Sequence, residues 1–258
     1  MSVNPDIVVK VGGGALEGGA LEDLPGILKS GHRVVIVHGG GQQLTRMLDS
    51  LGIESKFHEG LRITDGETLE VAEMVFAGNV NKALVRELNG LGIPAVGISG
   101  TDGSTLSVTP ISNLGRVGEV QDVNPTLIHT LWAGGFVPVV APLGLGPEGA
   151  YNVNADSAAA ALAVGLEAGH LFLLTDVDGL LAEGEPVRSL LPDECEEYVS
   201  SGLAAGGMVP KLRAAAEAAR RGSKAGILNG NSPGVLTAAL AHEEVGTLIY
   251  EGAATCRQ

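Results

Sequence analysis

Two lysines and two runs of glycine hold the clearest chemistry in the chain. Lys10 lies inside Ile7-Val8-Val9-Lys10-Val11, an apolar, β-branched run that reads as a buried strand, and Gly12-Gly13-Gly14 follows at once. A buried ammonium is costly unless it meets an anion, and a triglycine leaves backbone N–H groups unshielded. Together they point to a phosphate group at the strand end; the alternative is a lysine snorkelling to water. Val34-Val35-Ile36-Val37-His38-Gly39-Gly40-Gly41 repeats the design and runs into a helical pattern from Gln42 to Leu51. Amides at a strand-to-helix junction attract phosphate. One or two glycines satisfy a turn that needs positive φ, so three in a row, twice, favour close approach to a ligand. Lys211, in Gly206-Gly207-Met208-Val209-Pro210-Lys211, stands near a helix start, where a cation opposes the helix dipole. It is either an exposed lysine or one with a partner anion.

Other polar clusters are weaker alone. In Asn152-Val153-Asn154-Ala155-Asp156, Asn154 reads as an N-cap and Asp156 suits the dipole, which leaves Asn152 free. Arg62, in Glu59-Gly60-Leu61-Arg62-Ile63-Thr64, is either a surface arginine or a fork that clamps a substrate carboxylate. Asp176-Val177-Asp178-Gly179 begins like a calcium loop but lacks the later glycine and glutamate, so it reads as a strand-end loop that contacts a nucleotide or turns the chain. G-x-x-x-x-G-K-[ST] is absent. G-x-G-x-x-G occurs at Gly144–Gly149 but runs into Tyr151-Asn152-Val153-Asn154 rather than a helix, and is taken as chance.

The elements that must position these residues alternate between strand and helix. Strands are expected at Asp6–Val11, Arg33–His38, Ala95–Ser99, Val137–Pro142, His170–Thr175, Lys224–Leu228 and Thr247–Tyr250, the pattern of βαβ units in a largely parallel sheet. Ligands in such sheets sit beyond the carboxyl ends of the strands, where the glycines cluster. Thr64-Asp65-Gly66-Glu67 reads as a capping box, with Thr64 at N-cap, opening a helix that runs to about Asn89. Asn124-Pro125 reads as the start of a helix ending at Gly134-Gly135, and further helices are expected at Ala155–Leu166 and Met208–Arg221. Gly165–His170 is the expected seam between two lobes, 1–168 and 169–258. The 258 residues carry 30 acidic and 16 basic side chains, a net charge of −14, which argues against nucleic acid and anionic membranes as partners. No apolar stretch approaches the roughly 20 residues that span a bilayer. Met1–Asp6 shows no signal peptide, Cys195 and Cys256 have no metal-ligand spacing, and the cytoplasm is the expected location.

The order Lys10-Val-Gly-Gly, His38-Gly-Gly-Gly, Gly60-Leu-Arg62, Asn152-Val-Asn-Ala-Asp156, Thr175-Asp-Val-Asp-Gly179 and Gly207-Met-Val-Pro-Lys211 resembles the amino acid kinase family over essentially the whole chain. Within it, the chain is most similar to members acting on N-acetyl-L-glutamate. The resemblance implies an α/β fold, a three-layer αβα sandwich around a mainly parallel eight-stranded sheet. It implies an N-terminal lobe for the amino acid and dimerisation, and a C-terminal lobe for ATP. Lys10 and Lys211 resemble the lysines that stabilise the transferring phosphoryl group, and Asp156 the carboxylate that holds both. Gly12, Gly13, Gly40 and Gly41 resemble backbone donors, the first pair to ATP phosphates and the second to substrate. Arg62, Asn152 and Asn154 fall where the family grips N-acetylglutamate. Asp176, Val177, Asp178, Gly179, Leu180 and Leu181, with Leu203, Ala204 and Ala205, fall where it contacts ATP. Leu203-Ala204-Ala205 has no polar side chain and could help only through its backbone.

The implied reaction is phosphorylation of the side-chain carboxylate of N-acetyl-L-glutamate by ATP, in arginine biosynthesis, with Mg²⁺ bound mainly through the phosphates and no protein metal site. Rivals are a kinase for an aminoadipyl or glutamyl group on an acidic carrier protein, and a non-catalytic amino-acid sensor. A basic docking surface, expected for the first, fits poorly with a net charge of −14. Loss of a lysine or of Asp156, expected for the second, is not seen. Arginine-inhibited members carry a helix ahead of the first strand, and Lys10 is nine residues from Met1, so an arginine-insensitive homodimer is expected. Val71, Met74, Val75 and Leu84 are spaced for one apolar face, which is either its interface or an ordinary core-facing side.

Overall fold

The computed structural model describes residues 5–12 and 18–252. Gly13, Gly14 and Cys256 lie outside the described residues. Eight strands belong to one mainly parallel sheet, and the chain divides into two compact units, residues 1–34 with 162–258 and residues 35–161. These boundaries differ from a single cut near residue 168, because the strand Ile7–Val11 pairs in parallel with His170–Thr175.

The first unit orders its strands Ser189–Leu190, Thr247–Ile249, Lys224–Asn229, His170–Thr175, Ile7–Val11. All pairings are parallel except Thr247–Ile249 against Lys224–Asn229. Ile7–Val11 and His170–Thr175 are buried throughout, as parallel strands covered on both faces must be. The two-residue strand Ser189–Leu190 was not expected; it is too short to show alternation.

In the second unit Val34–His38 pairs in parallel with Val137–Ala141, and that strand with Ala95–Ser99. This unit also holds a closed four-stranded barrel, Leu106–Pro110, Val117–Val123, Leu143–Gly146 and Gly149–Val153, and a hairpin, Lys56–His58 with Leu61–Ile63. Gly144–Gly149 is part of an antiparallel hairpin in which Gly146 pairs with Gly149, so the G-x-G-x-x-G match holds no dinucleotide turn.

The long helix is continuous but not uniform. Gly66–Glu73 and Asn81–Gly90 are α-helical, and Met74–Val80 between them is a π-helix. Its cap is Asp65, not Thr64: the Asp65 carboxylate accepts from Thr68 N at 2.8 Å. That bond also holds the Asp65 carboxyl below its usual range. The expected apolar face is corrected as well. Val71, Val75 and Leu84 are buried inside the chain, whereas Met74 is 64% exposed.

Candidate active site

In the first unit the site begins at the end of Ile7–Val11. Lys10 is 5% exposed on a strand otherwise apolar, and its ammonium folds back beside Gly12. A Cβ on Gly12 would lie 2.6 Å from Lys10 Nζ and 3.3 Å from Leu174 O. Gly12 is therefore the space the ammonium uses. Lys211 is the fourth residue of the helix Met208–Arg220 and is half-buried. The loop Asp176–Leu181 leaves the carboxyl end of His170–Thr175 and is locked at two points. Asn229 Nδ2 donates to Asp178 Oδ1 at 2.7 Å, and Leu180 N donates to Thr247 Oγ1 at 2.8 Å. Gly179 has φ +108°, and a Cβ there would strike Gly246 and Thr247 backbone at 2.9 Å, so only glycine fits the bend. Val177 and Leu181 are exposed, and Leu180 is buried. Leu203 is exposed, Ala204 is buried, and Ala205 is exposed. Ala204 N already donates to Tyr198 O at 2.9 Å, and Ala205 O accepts from Met208 N at 3.2 Å. The surface this segment presents is thus the Leu203 side chain rather than these two backbone groups.

The second unit builds a different kind of site. Gly40 ends the strand turn with φ +153°, and a Cβ there would meet Phe76 Cδ1 at 2.9 Å. Gly41 opens the helix Gly41–Leu51, whose first amides have no intrahelical partner. Arg62 is 8% exposed, so it is no surface arginine. Its guanidinium lies 4.6 Å over the Phe57 ring and donates to Ser55 Oγ, to Thr45 Oγ1 at 2.7 Å and to Gly41 O at 3.2 Å. Burial lowers its pKa, against which the Asp49 carboxylate acts. Thr64 Oγ1 donates to Arg62 O at 2.9 Å and accepts from Asn152 Nδ2 at 3.1 Å. Asn152 is thereby tied to the Arg62 backbone through one hydroxyl. Asn154 Oδ1 accepts from the amides of Asp156 at 2.9 Å and Ser157 at 3.1 Å, the capping role expected of it. Asp156, 4% exposed, is the second residue of Ala155–Gly165.

Thr45, Phe57, Thr64, Asn229 and Thr247 are supporting residues that the motifs do not reveal. The only sequence signals are Thr64 beside Arg62 and Asn229 just before a strand-end glycine. Among the described residues, no group of three or more His, Cys, Asp or Glu is gathered to hold a metal.

One unit thus holds a strand-end lysine beside a glycine, and the other a buried arginine joined through Thr64 to Asn152. The chain belongs to the amino acid kinase family, whose model matches residues 6–229. It is 68% identical to the acetylglutamate kinase of Rubrobacter xylanophilus over 96% of this chain and 98% of that protein. Its identity to the acetylglutamate kinase of Methanopyrus kandleri is 43%, over 89% and 96%. Among solved structures, the N-acetylglutamate synthase of Neisseria gonorrhoeae, complexed with coenzyme A and N-acetyl-glutamate, superposes with a TM-score of 0.82 at 29% identity, over 96% of this chain and 60% of that one. Carbamate kinase of Giardia lamblia bound to AMP-PNP shares the fold, with a TM-score of 0.69 at 20% identity over 97% and 99%.

Proposed function

We infer that the protein transfers the γ-phosphoryl group of ATP to the side-chain carboxylate of N-acetyl-L-glutamate, releasing ADP and N-acetyl-L-glutamyl 5-phosphate, in arginine biosynthesis. The observation that carries the acceptor is the chain Arg62–Thr64–Asn152 beside the Gly40–Gly41 turn. A fixed guanidinium suits a carboxylate, and amide side chains suit an acetamido group. The second unit is the acceptor side, with Gly40, Gly41, Arg62, Asn152 and Asn154 as its contacts. The first unit is the nucleotide side, with Gly12, Gly13, Asp176–Leu181 and Leu203–Ala205.

The attacking oxygen belongs to a carboxylate ionised near neutral pH, so no general base is needed. Catalysis then rests on alignment and on charge placed where it develops. Lys10 and Lys211 supply that charge, with Asp156 as their carboxylate counterpart. Mg²⁺ would be held mainly through the nucleotide phosphates, whose charge it would neutralise. We place the reaction in the cytoplasm and the chain in a homodimer; light scattering tests the latter.

A coupled ADP-release assay with ATP, Mg²⁺ and free N-acetylglutamate tests the reading. Turnover is expected with the free acid. Turnover only with a carrier-bound aminoadipyl or glutamyl group, or tight binding without turnover, would overturn it.

A further inference from the structure

His38 is fully buried at the end of Val34–His38, one residue before the Gly39–Gly41 turn. Its Nδ1 is 2.6 Å from Gly39 O, an acceptor only, so Nδ1 carries the proton. Its Nε2 is then an acceptor and faces Asn81 Nδ2 at 3.2 Å, whose two N–H groups it shares with two backbone carbonyls. The Asn81 amide is oriented by its surroundings. Nδ2 also faces the carbonyls of Val139 at 2.9 Å and Ile98 at 3.2 Å, while Oδ1 accepts from Lys82 Nζ at 3.0 Å. A flipped amide would set oxygen against two carbonyls. Asn81 directly follows the π-helix Met74–Val80, and Phe76 and Val80 of that segment pack against Gly40. The π segment therefore braces the glycine turn by packing, and Asn81 braces it through His38.

We propose that His38 and Asn81 are positioning residues for the acceptor: the Nδ1-protonated imidazole holds the Gly39 peptide, and with it the Gly40 and Gly41 amides, in the orientation that receives N-acetylglutamate. The inference rests on the reading of that turn as an acceptor contact. Burial keeps the imidazole neutral, its pKa lowered to about 4, with the Gly39 carbonyl opposing and the Lys82 ammonium assisting. A neutral ring is what the two-sided arrangement requires, since an Nε2–H would face the Asn81 donor.

The test combines ring ¹⁵N NMR on the wild-type chain with steady-state kinetics. NMR at neutral pH is expected to show the Nδ1–H tautomer at His38; the Nε2–H tautomer would overturn the proposal whatever the variants do. His38→Leu is expected to raise KM for N-acetylglutamate by ~10- to 100-fold with KM for ATP within about twofold, the cost of misplacing a contact. His38→Asn, which can restore a donor near the Nδ1 position, should recover most of that loss. Asn81→Leu added to His38→Leu should cost little more, because both act through one network. Equal movement of both KM values, or no rescue by His38→Asn, would overturn the proposal. Gly41→Ala, whose methyl meets nothing within 4 Å in the chain, separates the two readings. If it raises KM for N-acetylglutamate and His38→Leu does not, only the positioning role fails. If it changes nothing, the turn is no acceptor contact and both fail.

Discussion

The strand ends at Lys10–Gly12 and His38–Gly41 look alike in sequence, an apolar strand with one polar residue followed by glycines, and differ in construction. At the first, the polar side chain is a cation that folds over Gly12, whose missing Cβ is room for the ammonium. At the second, the polar side chain is a neutral imidazole turned into a hydrogen-bond network, and Gly40 is glycine because an aromatic ring occupies the space beside it. On the proposed reading, the first strand end delivers charge, while the second delivers backbone geometry. Glycine at a strand end thus makes room for different neighbours, an ammonium at Gly12 and an aromatic ring at Gly40.

The largest test of this contrast is removal of charge from the first unit. Lys10→Ala and Lys211→Ala are each expected to lower kcat by ~10²- to 10³-fold or more, the cost of one preorganised donor to a developing charge, with KM for either substrate changed far less. Unchanged turnover in either variant would mean that the first turn does not deliver charge to the reaction. The matching change in the second unit is Arg62→Ala, expected to raise KM for N-acetylglutamate by ~10- to 100-fold, as loss of a charge-assisted contact of about 1.5–3 kcal/mol. KM for ATP should stay within about twofold. A comparable rise in KM for ATP would erase the division between a nucleotide side and an acceptor side.

Stability against pH probes the second turn directly. The folded pKa of His38, about 4, lies below its ordinary value of 6.5. The unfolded chain therefore binds the proton first, and the contribution of His38 is complete above pH 6.5 and lost as pH falls through about 4. At ~1.4 kcal/mol per pH unit the loss approaches about 3 kcal/mol. His170 also has its pKa lowered to about 4, by burial first and then by His32, Lys224 and His242, and it lies in the first unit at the start of its strand. Urea titrations between pH 7 and 4.5 on wild type and His38→Asn separate the two. The difference in stability between them should shrink as pH falls, while the His170 part stays common to both. A constant difference would mean that His38 is not held neutral.

Much of this plan is legible from residue types. Buried parallel strands read as continuous apolar runs, and the strands at Lys10, His38, His170 and Lys224 stand within a residue or two of where those runs place them. The barrel strands are harder to read. Val117–Val123 mixes Gly, Glu, Gln and Asp with valine and is partly exposed, so no apolar run marks it. Thr64 and Asp65 are both good caps, and local propensity cannot choose between them. Tertiary structure does, by engaging Thr64 with Arg62 and Asn152. The π segment has no residue signature either, so the placing of Asn81 beside His38 is not readable from helical spacing. The side chains proposed to touch substrate are spelled out by motif; those that hold them come from distant parts of the chain and depend on the fold.

The smallest expected change in stability is the sharpest test of the two turns. Gly40→Ala and Gly12→Ala both add one methyl beside a strand end. At Gly40 the methyl meets Phe76 Cδ1 at 2.9 Å and Val80 Cγ2 at 3.3 Å, on a backbone with φ +153° that side chains rarely adopt. Ring and backbone must both shift, at a cost of about 1–3 kcal/mol. At Gly12 the nearest atom is Lys10 Nζ at 2.6 Å, the far end of a flexible side chain, and Leu174 O comes next at 3.3 Å. The lysine can swing aside, so the folding cost should stay below about 1 kcal/mol, the usual size of a well-tolerated substitution. Swinging aside is what the reaction cannot tolerate. Gly12→Ala should therefore unfold in urea almost as wild type does while kcat falls about tenfold or more, since a displaced ammonium no longer meets the charge it stabilises. If kcat holds while stability falls, Gly12 is glycine for the backbone, as Gly40 is, and the two turns are not built differently after all.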